Sequence, residues 1–360
     1  MRPRGTISVV IAITAAVQIY TWHDRFFVDQ NFWVKKAENF HQDIQKGPLW
    51  YGSLRYPVHP AAPLLLASSA GQALGMPPLG SIRAAIILLN TACISCSILL
   101  LRNRFPQIAW WISGGGVLLL STLHRIISPA DAVFAPLVFL AWLLLLWHIQ
   151  AKGRSNLQVS IALGVAVGLT LSTRIHLAII FFTPALLVSS VIIGWRRLLV
   201  IGSTAVAVMV ISNPLLWHAP WIYLKAALIG EYRHATQSEF TIPLPQVQWP
   251  EAIQYSLLAS ISFLVGLLYL WRHRWPMPLP RPFLKILVGT TIVSVLMVKR
   301  SNVETIRYFY PLILTWEALL PLFCLHAARL SSEAIRLSPA QSRLVAHFVT
   351  AILIVTFWLA

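Results

Sequence analysis

The sequence predicts an all-α, polytopic transmembrane protein that crosses the bilayer about eleven times and adds one interfacial or re-entrant helix. Three observations carry this expectation. The 360-residue chain is 57% hydrophobic and only 11% charged, whereas roughly a quarter of the residues in soluble domains are charged. Apolar runs approaching the ~20 residues that a span requires recur along the whole chain. Basic clusters separate many of these runs, as the positive-inside rule asks of cytoplasmic loops. No soluble domain, low-complexity tract or internal repeat interrupts the pattern, so residues 1–360 read as one transmembrane domain.

The elements follow in order. Arg2 and Arg4 precede an apolar run from Ile7 to Ile19 that closes on Tyr20 and Trp22. These are interface-anchoring residues rather than a small-residue cleavage site, so residues 5–22 read as an uncleaved first span. The outer loop 23–60 places Phe32, Trp33, Ala37 and Phe40 at near-helical spacing. Such a stripe suits a helix lying on lipid or docked on other helices. Residues 57–76 hold Pro57, Pro60, Pro63, Ser68, Ser69 and Gly71 and form the weakest apolar run. The remaining runs are 82–101, 107–127, 131–149, 157–173, 175–194, 198–217, 253–271, 283–298, 308–328 and 344–359.

Parity fixes the reading of 57–76. The clusters Arg102/Arg104, Lys152/Arg154, Arg196/Arg197, Arg272/Arg274 and Arg329 to Arg343 alternate correctly with the cytoplasm only if 57–76 does not cross. The outer face then receives loops 23–60, 124–131, 218–252 and 299–307.

The formal net charge is +17. In a soluble protein this would suggest nucleic acid. In a membrane chain it first reflects topology and then anionic lipid or phosphate ligands, so no nucleic-acid partner is expected. Cys93 and Cys96 form a C-x-x-C inside an apolar run with no second ligand pair nearby. They read as small packing residues, not as a zinc or redox site.

The acids are the informative residues. In this topology every acid except Glu317, within a span, and Glu333, inside, falls on the outer face. Orientation by Lys and Arg does not require that, so acids gathered on one face suggest chemistry there. Asp24 and Asp29 lie just past the first span, where partial desolvation can tune a carboxylate toward general-base work. Ser128 and Asp131 open another run, as helix-capping residues or, for Asp131, as a metal or substrate ligand. His124 and Arg125 precede them, and Arg125 could grip a phosphate bidentately. Lys299, Arg300 and Arg307 sit outside against the positive-inside tendency, held by a lipid phosphate or by pairing with Glu304. Glu317 is a membrane-embedded acid, either functional or hydrogen-bonded to a neighbouring helix.

Taken in order, these elements resemble the GT-C superfamily of membrane glycosyltransferases, of the protein O-mannosyltransferase and aminoarabinose transferase type. Asp29-Gln30 matches the first-loop acidic pair of that family, and His59-Pro60 through Leu64 to Gly75 its basic-Pro helix. Asp131, preceded by Arg125, matches the later Asp that opens a span. Gly168-Leu169-Thr170-Leu171-Ser172-Thr173-Arg174, Asn213-Pro214-Leu215-Leu216-Trp217 and Arg307-Tyr308-Phe309-Tyr310-Pro311 match the remaining elements. The sequence departs from the family where Gln30 replaces an acid and His59 replaces a lysine.

The resemblance implies a GT-C-like fold and an inverting transfer. The donor would be a polyprenyl-monophosphate sugar lipid in the plasma (inner) membrane, and the acceptor a hydroxyl of a glycan, lipid or protein at the outer face. Asp29 would act as general base. His59, Arg125, Asp131, Arg174, Lys299, Arg300, Arg307 and Tyr308 would bind substrate. A divalent metal, with Asp131 and His124 as candidate ligands, is the one cofactor the pattern allows. Two rival classes share the composition. A transporter or flippase would use Glu317 but usually shows repeat symmetry. A polysaccharide polymerase or ligase would tolerate replacement of Asp29.

Overall fold

The computed structural model describes residues 3–23, 30–46, 61–104, 128–150, 155–175, 194–213, 220–225, 249–271, 279–300 and 306–335, with isolated positions from 177 to 348. The expected span 107–127, and most of 175–194 and 344–359, lie outside the described residues. Every described element is helical: α1 (Pro3–Trp22), α2 (Gln30–Gln45), α3 (Ala62–Ala73), α4 (Pro78–Arg104), α5 (Pro129–Gln150), α6 (Ser155–Thr173), α7 (Trp195–Ser212), α8 (Pro220–Lys225), α9 (Trp249–Trp271), α10 (Arg281–Arg300) and α11 (Ile306–Ile335). Helices are the form this composition demands, because a span must satisfy its own backbone hydrogen bonds. Three of them (residues 78–103, 129–150 and 195–212) are long and apolar enough to cross a membrane, and four shorter apolar helices accompany them.

The first-loop stripe does form a helix, α2, and the structure decides what it packs on. Trp33, Ala37 and Phe40 are buried with α3, α4 and the start of α5, so the stripe docks on protein. Phe32 falls off the stripe and stays exposed. The Lys36 ammonium sits 5.1 Å from the Trp33 ring and 5.7 Å from that of Phe32, a cation–π arrangement for an otherwise costly buried amine.

α3 has 12 residues, about 18 Å at 1.5 Å per residue, well short of a bilayer core of ~30 Å. The chain then reverses into α4, with Gly75 at φ 85° and a Ser68 to Ser81 hydroxyl bond of 2.7 Å joining the hairpin. That length suits the interfacial or re-entrant reading of 57–76.

Side-chain registers give helix directions. Asp131 meets Arg174 while His148 meets Ser160, so α5 and α6 are antiparallel. α6 and α7 are parallel and very close. A Cβ on Gly164 would stand 2.6 Å from Thr204 Cβ, and one on Gly168 2.6 Å from the Ala205 carbonyl oxygen. Ser172 and Ser212 hydrogen-bond at 2.7 Å on the same seam. This is the small-xxx-small packing that lets membrane helices approach without apolar drive. α9 and α11 are also parallel: Ser262 donates to the Trp316 carbonyl, and Tyr269 stacks on Phe323 at 5.8 Å. In the α9–α11 pair a single helix, α10, returns the chain between the two parallel members.

Two core clusters share α5 and α11. One joins these helices to α1, α2, α3 and α4. The other joins them to α6, α7, α9 and α10. The apolar window of α5 is 83% buried, against 11% for that of α7, which places α5 at the centre and α7 at the rim.

Candidate functional site

The site begins with the local chemistry of the α5 start. Ser128 precedes Pro129, whose missing N–H costs nothing at a first helical position. Ser128 Oγ accepts the backbone N–H of Asp131 at 3.3 Å, and its hydroxyl donates to Asp131 Oδ2 at 2.7 Å. The helix-capping reading of Ser128 therefore holds. Asp131 lies in the first turn, where the helix dipole favours a negative charge.

Asp131 also meets a distant charge. Its Oδ1 stands 2.8 Å from Arg174 Nη2, a close charge contact rather than an aligned hydrogen bond. Arg174 Nη2 also donates to Ser128 Oγ at 3.3 Å. Asp131 and Arg174 are each 2% exposed. The pair is neutral as a unit, which is the condition for burying two charges. Both Asp131 oxygens are thus engaged, and the guanidinium stands where a divalent metal would have to bind, so the residues present do not fit a metal at Asp131. Among the described residues, no group of three His, Cys, Asp or Glu could hold one.

A third strand of the sequence pattern reaches the same place. The Ala61 N–H donates to the Thr173 carbonyl at 3.1 Å, one residue before Arg174. Ala61 is fully buried at φ 43°, a left-handed conformation that costs an alanine about 1–2 kcal/mol. Tight packing and the bond to Thr173 hold it there, and strain of this kind concentrates at functional sites. Ala61, just before α3, is therefore tied to the end of α6 that carries Arg174.

The other expected site residues divide as follows. Asp24, Asp29, His59, His124 and Arg125 lie outside the described residues. Lys299 and Arg300 close α10, and Arg307 and Tyr308 open α11; their side chains lie outside the description. Connectivity alone brings these four to one end of the α10–α11 pair. Glu317 is 3% exposed within α11, and neither carboxyl oxygen has a hydrogen-bond partner among the described residues. Gly168, matched above only as part of a motif, has a packing role against α7, and Asn213 caps the C-terminal end of that helix, fully buried.

Sequence reasoning missed the Asp131–Arg174 pairing. A signal existed, since each residue sits at the boundary of an apolar run on the expected outer face. It also missed Asp43, which is 6% exposed on α2. Compared with known proteins, the chain matches no family model, and no curated protein matches it significantly.

Proposed function

We propose that the protein transfers a sugar, with inversion, from a polyprenyl-monophosphate lipid to an acceptor hydroxyl at the outer face of the plasma (inner) membrane. The observation that carries the reading is the junction of three motif elements. The segment after His59-Pro60, the α5 start at Asp131 and the α6 end at Arg174 are joined by the Ala61–Thr173 bond and the Asp131–Arg174 contact. Elements far apart in the chain that converge on one buried polar junction support a common site.

In this reading, Asp29 takes the proton of the acceptor hydroxyl as its oxygen attacks the anomeric carbon and the bond to the phosphate oxygen breaks. His59, Arg125, Lys299, Arg300, Arg307 and Tyr308 hold the phosphate that leaves, where negative charge persists. Asp131 and Arg174 act as positioning residues. By fixing the α5 start against the α6 end, they set where His124 and Arg125, just upstream, can reach. No step passes through a metal.

The test is a transfer assay in nanodiscs with a panel of polyprenyl-phosphate sugars and simple acceptors. A positioned base contributes about 10²–10⁴-fold in rate, so Asp29→Asn should lose measurable transfer while retaining donor-lipid binding. Transfer by Asp29→Asn at close to the wild-type rate would sink the assignment of the base and favour a ligase-type mechanism. No transfer by wild type from any donor would remove the enzymatic reading.

A further inference from the structure

The seam between α5, α10 and α11 contains oxygens that the fold leaves without partners. Thr290 and Ser294 on α10 are 1% and 0% exposed, and Glu317 on α11 is 3% exposed. Thr290 Oγ1, Ser294 Oγ and both Glu317 carboxyl oxygens lack a hydrogen-bond partner among the described residues. Neighbouring hydroxyls on α9, α10 and α11 are satisfied. Thr291 donates to the Leu287 carbonyl and accepts from Trp316 Nε1, Thr315 donates to the Pro311 carbonyl, and Ser262 donates to that of Trp316. Ser and Thr in helices can bond back to an earlier carbonyl; Thr290 and Ser294 do not, a state they share among the described residues with Thr6, Thr14, Thr91 and Ser95 on α1 and α4, and what distinguishes them is a buried carboxyl close by on α11.

Helical geometry places these groups together. Phe283, Thr290 and Ser294 recur at i, i+7 and i+11, one face of α10. That face meets α5, because the Phe283 and Trp142 rings stand 6.0 Å apart. The Trp316–Thr291 bond of 2.9 Å sets Glu317 level with Thr290. At about 100° per residue, Ile313 and Trp316 flank Glu317 on one side and Leu314 and Ala318 on the other. The first two pack in the cluster that contains α10, and the last two in the cluster that joins α5 to α1–α4. Glu317 is thus turned toward the boundary of the two clusters, both of which contain α5. Pro321 has no N–H to offer the Glu317 carbonyl, which frees one more oxygen on that turn.

We infer that this seam binds a dehydrated alkali cation, held by the Glu317 carboxylate and the Thr290 and Ser294 hydroxyls. The donors are all oxygens, the ligand class of hard cations. Charge balance selects a monovalent ion. Asp131, the acid on α5, is already matched by Arg174, so Glu317 leaves one negative charge to neutralise. A bound cation would offset the cost of a carboxylate buried without a counter-charge. The inference does not depend on the sugar-transfer reading.

The test is thermal unfolding of the purified full chain in nanodiscs, at constant ionic strength, in NaCl, KCl or N-methyl-D-glucamine chloride. A bound ion stabilises by mass action, so the midpoint should rise saturably with Na⁺ or K⁺ over the organic cation. Glu317→Gln should lose that response, and Thr290→Val and Ser294→Ala should each raise the half-saturating concentration several-fold. Equal wild-type midpoints in all three salts would overturn the inference and show that the carboxyl carries a proton instead. A wild-type response in Glu317→Gln would place the ion elsewhere. If that variant does not fold, an unchanged half-saturating concentration in both hydroxyl variants would overturn the inference equally well.

Discussion

At the scale of the residue, the Asp131–Arg174 contact makes the sharpest demand. Removing one partner of a buried pair strands the other charge and costs about 3–5 kcal/mol, whereas replacing both with apolar residues of similar volume is often neutral. Arg174→Met should therefore lower the unfolding temperature strongly, and Asp131→Leu/Arg174→Met should recover most of the loss in the same melting assay. If the double variant is no better than the single, the pair is not held together by charge in the way the 2.8 Å contact implies. Each of these residues was readable from the sequence as a polar group at a helix end. Their partnership was not, because a boundary residue shows which charge must be satisfied and not which distant chain segment satisfies it. Asp43 was passed over for a related reason: on a surface-lying amphipathic helix an acid reads as solvated, and only the packing of α2 buries it.

At the scale of the element, α6 and α7 meet through glycine. Gly168→Val would drive methyl groups into the Ala205 carbonyl and Val208, whose nearest atoms already stand 2.6 and 2.7 Å from a bare Cβ. Overpacking typically costs about 1–3 kcal/mol, and here the obstruction is partly backbone. We expect reduced folded yield by size-exclusion chromatography for Gly168→Val, and a milder effect for Gly202→Val, where a Cβ would meet nothing within 4 Å. Equal behaviour of the two variants would contradict the close α6–α7 approach. The existence of these helices was legible, since a run of apolar residues announces a span directly. Their closeness was not, because Gly164 and Gly168 lie among equally small alanines and serines, and hydropathy does not distinguish a face turned to a helix from one turned to lipid.

At the scale of the whole molecule, α5 and α6 run antiparallel, while α6 with α7 and α9 with α11 run parallel. The parity argument from the basic clusters proposes which face each loop takes. Single cysteines at Asn103, Gln45 and Ala235, in a background lacking Cys93, Cys96 and Cys324, should separate in labelling by an impermeant maleimide on intact cells. Gln45→Cys and Ala235→Cys should react from outside and Asn103→Cys only after permeabilisation. External labelling at position 103 would mean that residues 57–76 cross after all. The helical class and the shortness of α3 followed from proline content and apolar run length. The burial of α5, as against the exposure of α7, did not, because both carry an apolar run long enough to span and only the arrangement of the other helices decides which one is covered.

The same contact has a consequence for how the chain is made. Ser128 and Arg174 are 46 residues apart, and ribosomes add about 5–20 residues per second. For about 2–9 seconds of each synthesis, Asp131 has left the ribosome while the guanidinium that will answer it has not. Asp131 lies in the first turn of α5, and a charge at the end of a span can wait solvated until α6 delivers Arg174. The same acid placed midway along α5 would have to enter the hydrocarbon alone. The position of a charge within a span is thus a matter of timing as well as of final geometry, and the order of emergence from the ribosome is written into where the residue sits.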